Sequence, residues 1–222
     1  MLRWLAWPAA TASAAAAGAV IGAAQHDHPV LRAVVGASTM ATQSVDANDG
    51  QQVASAAVRL ANAAGGLGLL STVAAENGVA ARMVQPLPAR LDADGEIAIA
   101  FHTTRHSAKF GQLSRDGRCT LSFMNPSENT CVTFCGTARR LGTREEASMR
   151  DEWPLFPPLK LLYNSLDDFS GWELRPERVQ VVSVPALLGG GTRDDWRAPE
   201  IERQRSGDGH GSWAVRCKGG MQ

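Results

Sequence analysis

Ala81-Arg82-Met83-Val84-Gln85-Pro86-Leu87, then Asp92-Ala93-Asp94-Gly95, then Glu96-Ile97-Ala98-Ile99-Ala100-Phe101-His102-Thr103-Thr104-Arg105-His106-Ser107-Ala108-Lys109: the reading of this stretch decides the fold. Ile97, Ile99 and Phe101 alternate with smaller residues, the period of a strand. Asp92–Gly95 supplies the turn before it, and Pro86 and Pro88 end the regular pairing of the strand that precedes that turn. Ser107 suits an N-cap, opening a short helix through Leu113 that stops at Asp116-Gly117. Strands this short and this tightly connected leave no room for βαβ crossovers, so a dinucleotide-type parallel sheet is disfavoured.

Working outward, Glu76-Asn77-Gly78 is the strongest hairpin signal, joining a strand at Leu67–Val73 to a return strand from Val79 to about Leu87. Val53, Ala57, Leu60 and Ala64 fall at helical spacing, with Gly65-Gly66 as a stop and a polar loop over Ser44–Gly50 before them. On the other side, Arg118–Phe123 and Thr130–Leu141 read as strands about a turn at Asn125–Asn129. Thr143–Trp153 reads as a helix with Thr143 as cap and Glu146 closing a capping box, and Trp172–Val184 alternates as a last strand. The expectation is a mainly β, antiparallel barrel, closed or nearly so, with flanking helices. Past Pro185 the chain is Gly/Arg/Asp-rich without periodicity and is expected to be a loosely packed tail, with one extra strand near Ser212–Cys217. The expected organisation is a targeting or disordered segment at 1–39, a linker at 40–50, the barrel at 51–185 and the tail at 186–222.

The 222 residues carry 22 Lys+Arg and 22 Asp+Glu, so no net field draws the protein to nucleic acid or to an acidic membrane. Residues 1–26 lack any acid and are rich in Ala, Ser, Thr and Gly, and Ala14–Ala24 is too short and small-sided to span a membrane. The segment reads as an organellar transit peptide, plastid before mitochondrion, with Met40 as an internal start that would leave a cytoplasmic product. Cys119, Cys131, Cys135 and Cys217 form no C-x-x-C pair and no zinc spacing with the histidines, so no metal is expected. Cys131 and Cys135 would share one face of a strand, too far apart along it to bond each other easily. Reduced thiols in a non-secretory compartment follow.

Three features converge on chemistry. Arg82 stands alone in an apolar strand, the next strand ends in His102-Thr103-Thr104, and the following helix begins at Ser107 with Lys109 in its first turn. A helix N-terminus offers free N–H groups and partial positive charge. With Thr and Ser hydroxyls, one Lys and one Arg, this suits a phosphate monoester without a Gly-rich loop. The plain alternative is a solvated helix start with an exposed lysine. Gly189-Gly190-Gly191 and Gly207-Asp208-Gly209-His210-Gly211 read as linker, because neither follows a strand and opens a helix. Trp153 and Phe156 read as core or interface anchors, and Asp167-Asp168 as a turn.

Arg82–Leu87, Phe101–Lys109 and Arg118–Phe123, in this order and spacing, resemble the pyridoxamine 5′-phosphate oxidase-like family, most closely the general-stress-protein FMN-binding split barrels. The Val132–Arg140 strand with Gly136-Thr137-Ala138, and Trp172–Val179, fit the same pattern, so the resemblance spans about Gln51 to Val184. It implies a homodimer of split barrels with FMN at the interface. Arg82 and Lys109 would hold the phosphate, Thr103 and Ser107 would donate hydroxyls, and Met83, Val84 and Gln85 would line the isoalloxazine through their backbone. His102 would border the flavin as a wall residue, with a catalytic role as the weaker reading. The pattern also departs from the oxidases: Ala108 replaces a second basic residue, Cys131 stands where they have a flavin-contacting Gln, and Arg193-Asp194-Asp195-Trp196 does not match their closing segment. The flavin site is thus retained in this pattern and the vitamer site is not. An FMN-dependent oxidoreductase of unknown substrate is the implied function. Its alternatives are a non-catalytic FMN-binding stress module and a related barrel for haem or a deazaflavin.

Overall fold

The computed structural model describes residues 48–126, 129–152, 168–183, 198–205 and 211–217. The first helix, α1 (Gly50–Ala63), starts where Asp49 accepts from the backbone N–H of Gln51 (2.9 Å) and Gln52 (3.1 Å). Gly50 is its first residue and not part of the preceding loop. A Cβ there would come within 1.9 Å of the Trp213 carbonyl oxygen, so only glycine lets the helix start this close to the sheet. Val53, Ala54, Ala57 and Ala61 form the buried face.

β1 (Gly68–Val73) and β2 (Val79–Val84) form the expected hairpin, joined through a 3-10 turn at Ala75–Asn77 in which Glu76 has φ 56°. A two-residue strand, β3 (Arg90–Leu91), precedes β4 (Ile97–Thr104), and α2 (Ala108–Arg115) follows with Ser107 as its N-cap. β5 (Arg118–Asn125) and β6 (Thr130–Arg140) form the next hairpin, and α3 (Thr143–Glu152) leads to β7 (Phe169–Ser183). The strand order is β2-β1-β5-β6-β7-β4-β3, every neighbouring pair antiparallel. β2 and β3 end this path without pairing to each other, so the barrel is split.

The fifteen-residue β7 organises the split. One edge runs along β6 from Trp172 to Ser183, while the other pairs with β4 over Phe169–Leu174 and with β8 (Glu200–Arg205) over Arg178–Gln180. Between the two halves lies Pro176, which has no N–H to donate, opposite a bulge at Cys135/Gly136. A Cβ on Gly136 would lie 2.3 Å from the Arg175 carbonyl oxygen, so the close approach at the bend requires glycine. Inside, Leu70, Ile97, Ile99, Phe101, Leu121, Phe134 and Leu174 are fully buried, and Phe123 meets Phe134 edge-on at 5.9 Å.

Two expectations are corrected. The segment past Pro185 holds the one strand expected near Ser212–Cys217, β9 (Gly211–Cys217), but also β8, which was not expected, and the two extend the sheet from β7. Trp213 is buried and donates from Nε1 to Gly95 O (2.8 Å), and Arg203 pairs with Glu96, tying the hairpin to the β3–β4 turn. The cap of α3 is also shifted by one residue. Thr143 is already helical, and Glu145, not Glu146, reaches back to the Gly142 N–H (2.8 Å). Glu146 is instead turned inward, its carboxylate accepting from the Gly171 N–H (3.0 Å) and Ser170 Oγ (3.4 Å) and fastening α3 to β7. The N-terminal segment, Trp153, Phe156, Trp196 and the Gly189–Gly191 run lie outside the described residues. No helix among the described residues is long and apolar enough to cross a membrane.

Candidate functional site

Strand parity divides the predicted site residues between faces. On β2, Arg82 and Val84 turn toward the interior, and Met83 turns outward with 60% of its surface exposed. Val84 is buried in the core, and Gln85, just past the strand, is half-buried. On β4, Ile97, Ile99, Phe101 and Thr103 face the core, so His102 lies on the opposite side. Thr103 is fully buried, with its hydroxyl oxygen 2.5 Å from Ser107 Oγ. Ser107 in turn accepts from the Phe110 N–H (3.3 Å) and donates to Thr104 O (2.8 Å). Both hydroxyls, expected to be donors to a ligand, are thus engaged in building the start of α2.

What the fold brings together is a set of cations. His102, half-buried, stacks on Phe169 with ring centroids 5.6 Å apart and planes 9° from parallel. Burial, and then the charge of Lys109, bring its pKa down to about 4, so the imidazole is neutral at pH 7. Lys109 is held below the usual lysine range by its own burial and by the nearby charge of Arg82. Arg82 is likewise lowered, by burial. Arg82 and Lys109 therefore form a partly desolvated pair of cations, with the neutral His102 beside Lys109, at the N-terminal end of an eight-residue helix. Two like charges held this close to a helix start favour an anion between them.

Two members were missed by sequence reasoning. Arg82 Nη2 donates to Thr72 Oγ1 (2.6 Å) and to Gln112 Oε1 (2.7 Å). Gln112 falls three residues after Lys109, one helical turn on, and that spacing was the available signal. Two further arginines cap aromatic rings nearby: Arg150 lies 5.8 Å over Phe169 and Arg140 lies 5.5 Å over Phe110. Cys131 is half-buried on the outer face of β6, opposite Met124. Ala108 is exposed. Cys119 is buried, its thiol pushed up to about 12, which keeps it protonated and unreactive. Asp168 Oδ1 lies 3.1 Å from His106 Nε2, which brings the start of β7 against the turn before α2. Among the described residues no group of three His, Cys, Asp or Glu side chains could hold a metal.

The sequence pattern of the family described as pyridoxamine 5′-phosphate oxidase matches residues 56–183, more than half of the chain. The chain belongs to this family. Among solved structures, a pyridoxamine 5′-phosphate oxidase-related, FMN-binding protein from Nostoc punctiforme superposes with a TM-score of 0.54 at 14% identity, covering 74% of this chain and 94% of that one. A Clostridium acetobutylicum protein related to general stress protein 26 superposes with a TM-score of 0.47 at 15% identity, covering 60% and 89%. A haem-binding protein from Mycobacterium smegmatis gives 0.47 at 19%, covering 75% and 89%. No curated protein matches the chain. At 14% identity the Nostoc structure shares the fold of this chain, and the family match reaches from within α1 to the end of β7, leaving β8 and β9 outside it.

Proposed function

We propose that the protein binds FMN and acts as a flavin-dependent oxidoreductase, working as a homodimer. The observation that carries this reading is the pair of partly desolvated like charges, Arg82 and Lys109, at the start of α2, with the neutral His102 beside Lys109. A phosphate monoester fits that donor set, and the FMN binding stated for the Nostoc relative makes the flavin nucleotide the first ligand to test. Arg82 and Lys109 would hold the phosphate, the start of α2 would add backbone N–H groups, and Met83, Val84, Gln85 and the flat imidazole of His102 would border the ring system. FMN, when bound, supplies two-electron chemistry at its isoalloxazine. A neutral His102 can exchange a hydrogen bond but holds no proton to give at pH 7. The substrate is a small molecule of a class still to be identified by turnover.

The outer face of β2, β1 and β5 supports the dimer. Leu69, Met83 and Met124 are 42%, 60% and 68% exposed. Leu69 pairs in register with both Met83 and Ser122, so the patch is continuous and uncharged there. A second copy of the chain is the proposed cover, and residues 1–39 are proposed to direct the protein to an organelle.

The test is titration of the full chain with FMN and with riboflavin, which lacks the phosphate, followed by the visible spectrum and by light scattering. FMN should bind at least tenfold more tightly, roughly 1.4 kcal/mol, to a dimer. A protein that stays colourless with excess FMN would end this reading. Anaerobic reduction by NADPH and reoxidation by candidate acceptors separates an enzyme from the alternative, a non-catalytic FMN-binding module.

A further inference from the structure

Among the described residues, the groups that orient Arg82 are neutral. Its Nη2 donates to Thr72 Oγ1 (2.6 Å), Gln112 Oε1 (2.7 Å) and Ala80 O (2.8 Å), which uses both hydrogens of that nitrogen. Thr72 is 2% exposed and lies 2.7 Å from Gln112 Oε1, to which it donates. The three contacts come from different elements. Thr72 pairs with Ala80 across β1 and β2, which makes it the diagonal neighbour of Arg82, and Gln112 descends from α2. A carboxylate in any of these places would orient the guanidinium and cancel its charge. A threonine hydroxyl, an amide oxygen and a carbonyl orient it and leave the charge in place. The remaining N–H groups, on Nη1 and Nε, form the other side of the fork, and no described residue accepts from them. Gln112 also sits one turn from Lys109, so the helix that presents the lysine also positions the arginine.

We propose that Thr72 and Gln112 are positioning residues that hold Arg82 oriented and fully charged for the phosphate of a flavin mononucleotide. This rests on the FMN reading above and assigns what makes that reading selective for the phosphorylated flavin. In this proposal Thr72 and Gln112 need no contact with the flavin. They act through Arg82, and they explain how a half-buried arginine keeps one direction without an acid beside it.

The decisive variant is Gln112→Glu, nearly isosteric, which places a carboxylate against Arg82. The full-length protein is titrated with FMN and with riboflavin, and its melting temperature is recorded. FMN affinity should fall at least tenfold while riboflavin affinity changes less than twofold and the melting temperature holds or rises. A merely structural glutamine would leave the FMN-to-riboflavin ratio at its wild-type value, and that result overturns the proposal. Thr72→Val should lower the same ratio and Thr72→Ser should restore it. A Thr72→Val protein that keeps the full ratio counts against the proposal equally. A wild-type protein without any preference for FMN over riboflavin overturns the phosphate reading itself. A preference that survives these substitutions overturns the positioning role alone.

Discussion

Lys109→Met should move ligand affinity and fold stability in opposite directions. Lys109 is partly buried, and its charge is disfavoured first by that burial and then by Arg82. Its own presence in turn disfavours a proton on His102. Methionine keeps the unbranched apolar stem and removes the ammonium, so packing of α2 against the sheet is retained. A hydrogen bond to a charged group contributes about 1.5–3 kcal/mol, so FMN binding should weaken about 10- to 150-fold, with riboflavin binding nearly unaffected. Without ligand, the variant should melt higher than the wild type. The pH dependence has a definite sign. The folded-state pKa of Lys109 lies below the unfolded value of 10.5, so the penalty is fully present below the folded pKa and fades as pH rises toward 10.5. The stability gain should therefore be largest at neutral pH and vanish in strong alkali. Urea unfolding at pH 7 and pH 10, with parallel FMN titrations, tests both halves. A variant that melts lower and binds FMN as before would refute the idea that this lysine is held unpaired for an anion.

His102 should make the fold acid-sensitive: with a folded pKa of about 4 against 6.5 unfolded, the unfolded chain takes up a proton first, so stability falls between about pH 6.5 and 4 and levels below. His102→Asn should remove that part of the slope, read from urea midpoints across the range, and an unchanged slope would mean that other groups carry it. Trp213→Ala should cost about 3–5 kcal/mol, since it empties a buried site and abandons the bond to Gly95 O; a loss under 1 kcal/mol in calorimetry would show that β8 and β9 are dispensable to the barrel. Gly136→Val should destabilise by roughly 3 kcal/mol or prevent folding, because the new side chain meets the Arg175 carbonyl across the bulge, and wild-type melting would contradict the bend.

The hairpins were legible because turn chemistry is local. Asn77-Gly78 and Asp94-Gly95 mark reversals whatever surrounds them, and Ser107 caps α2 through its own Phe110 N–H. β8 was not legible, because Glu200-Ile201-Glu202-Arg203-Gln204-Arg205 offers one buried apolar side chain and no alternating apolar set. Its strand exists because the second half of β7 leaves an edge that β4 does not reach. The shifted cap of α3 has a similar cause. Glu145 and Glu146 are equivalent in composition, and only the position of the sheet turns Glu146 toward Gly171.

The candidate site divides along the same line. Arg82 and Lys109 could be picked out from the sequence, since a lone cation in an apolar strand and a lysine in a first helical turn are patterns of neighbours along the chain. The same pattern set the antiparallel class, the short connections and the phosphate-suited helix start. Tertiary structure decided which groups share a face. It placed Thr103 in the core and Met83 outside, drew Thr72 and Gln112 to Arg82 across separations of 10 and 30 residues, and brought the charge of Arg82 to bear on Lys109. The physical reason is the range of the interactions involved. Caps and turns are satisfied within a few residues, whereas desolvation, repulsion between cations and the direction of a guanidinium depend on elements that meet only when the sheet has curled.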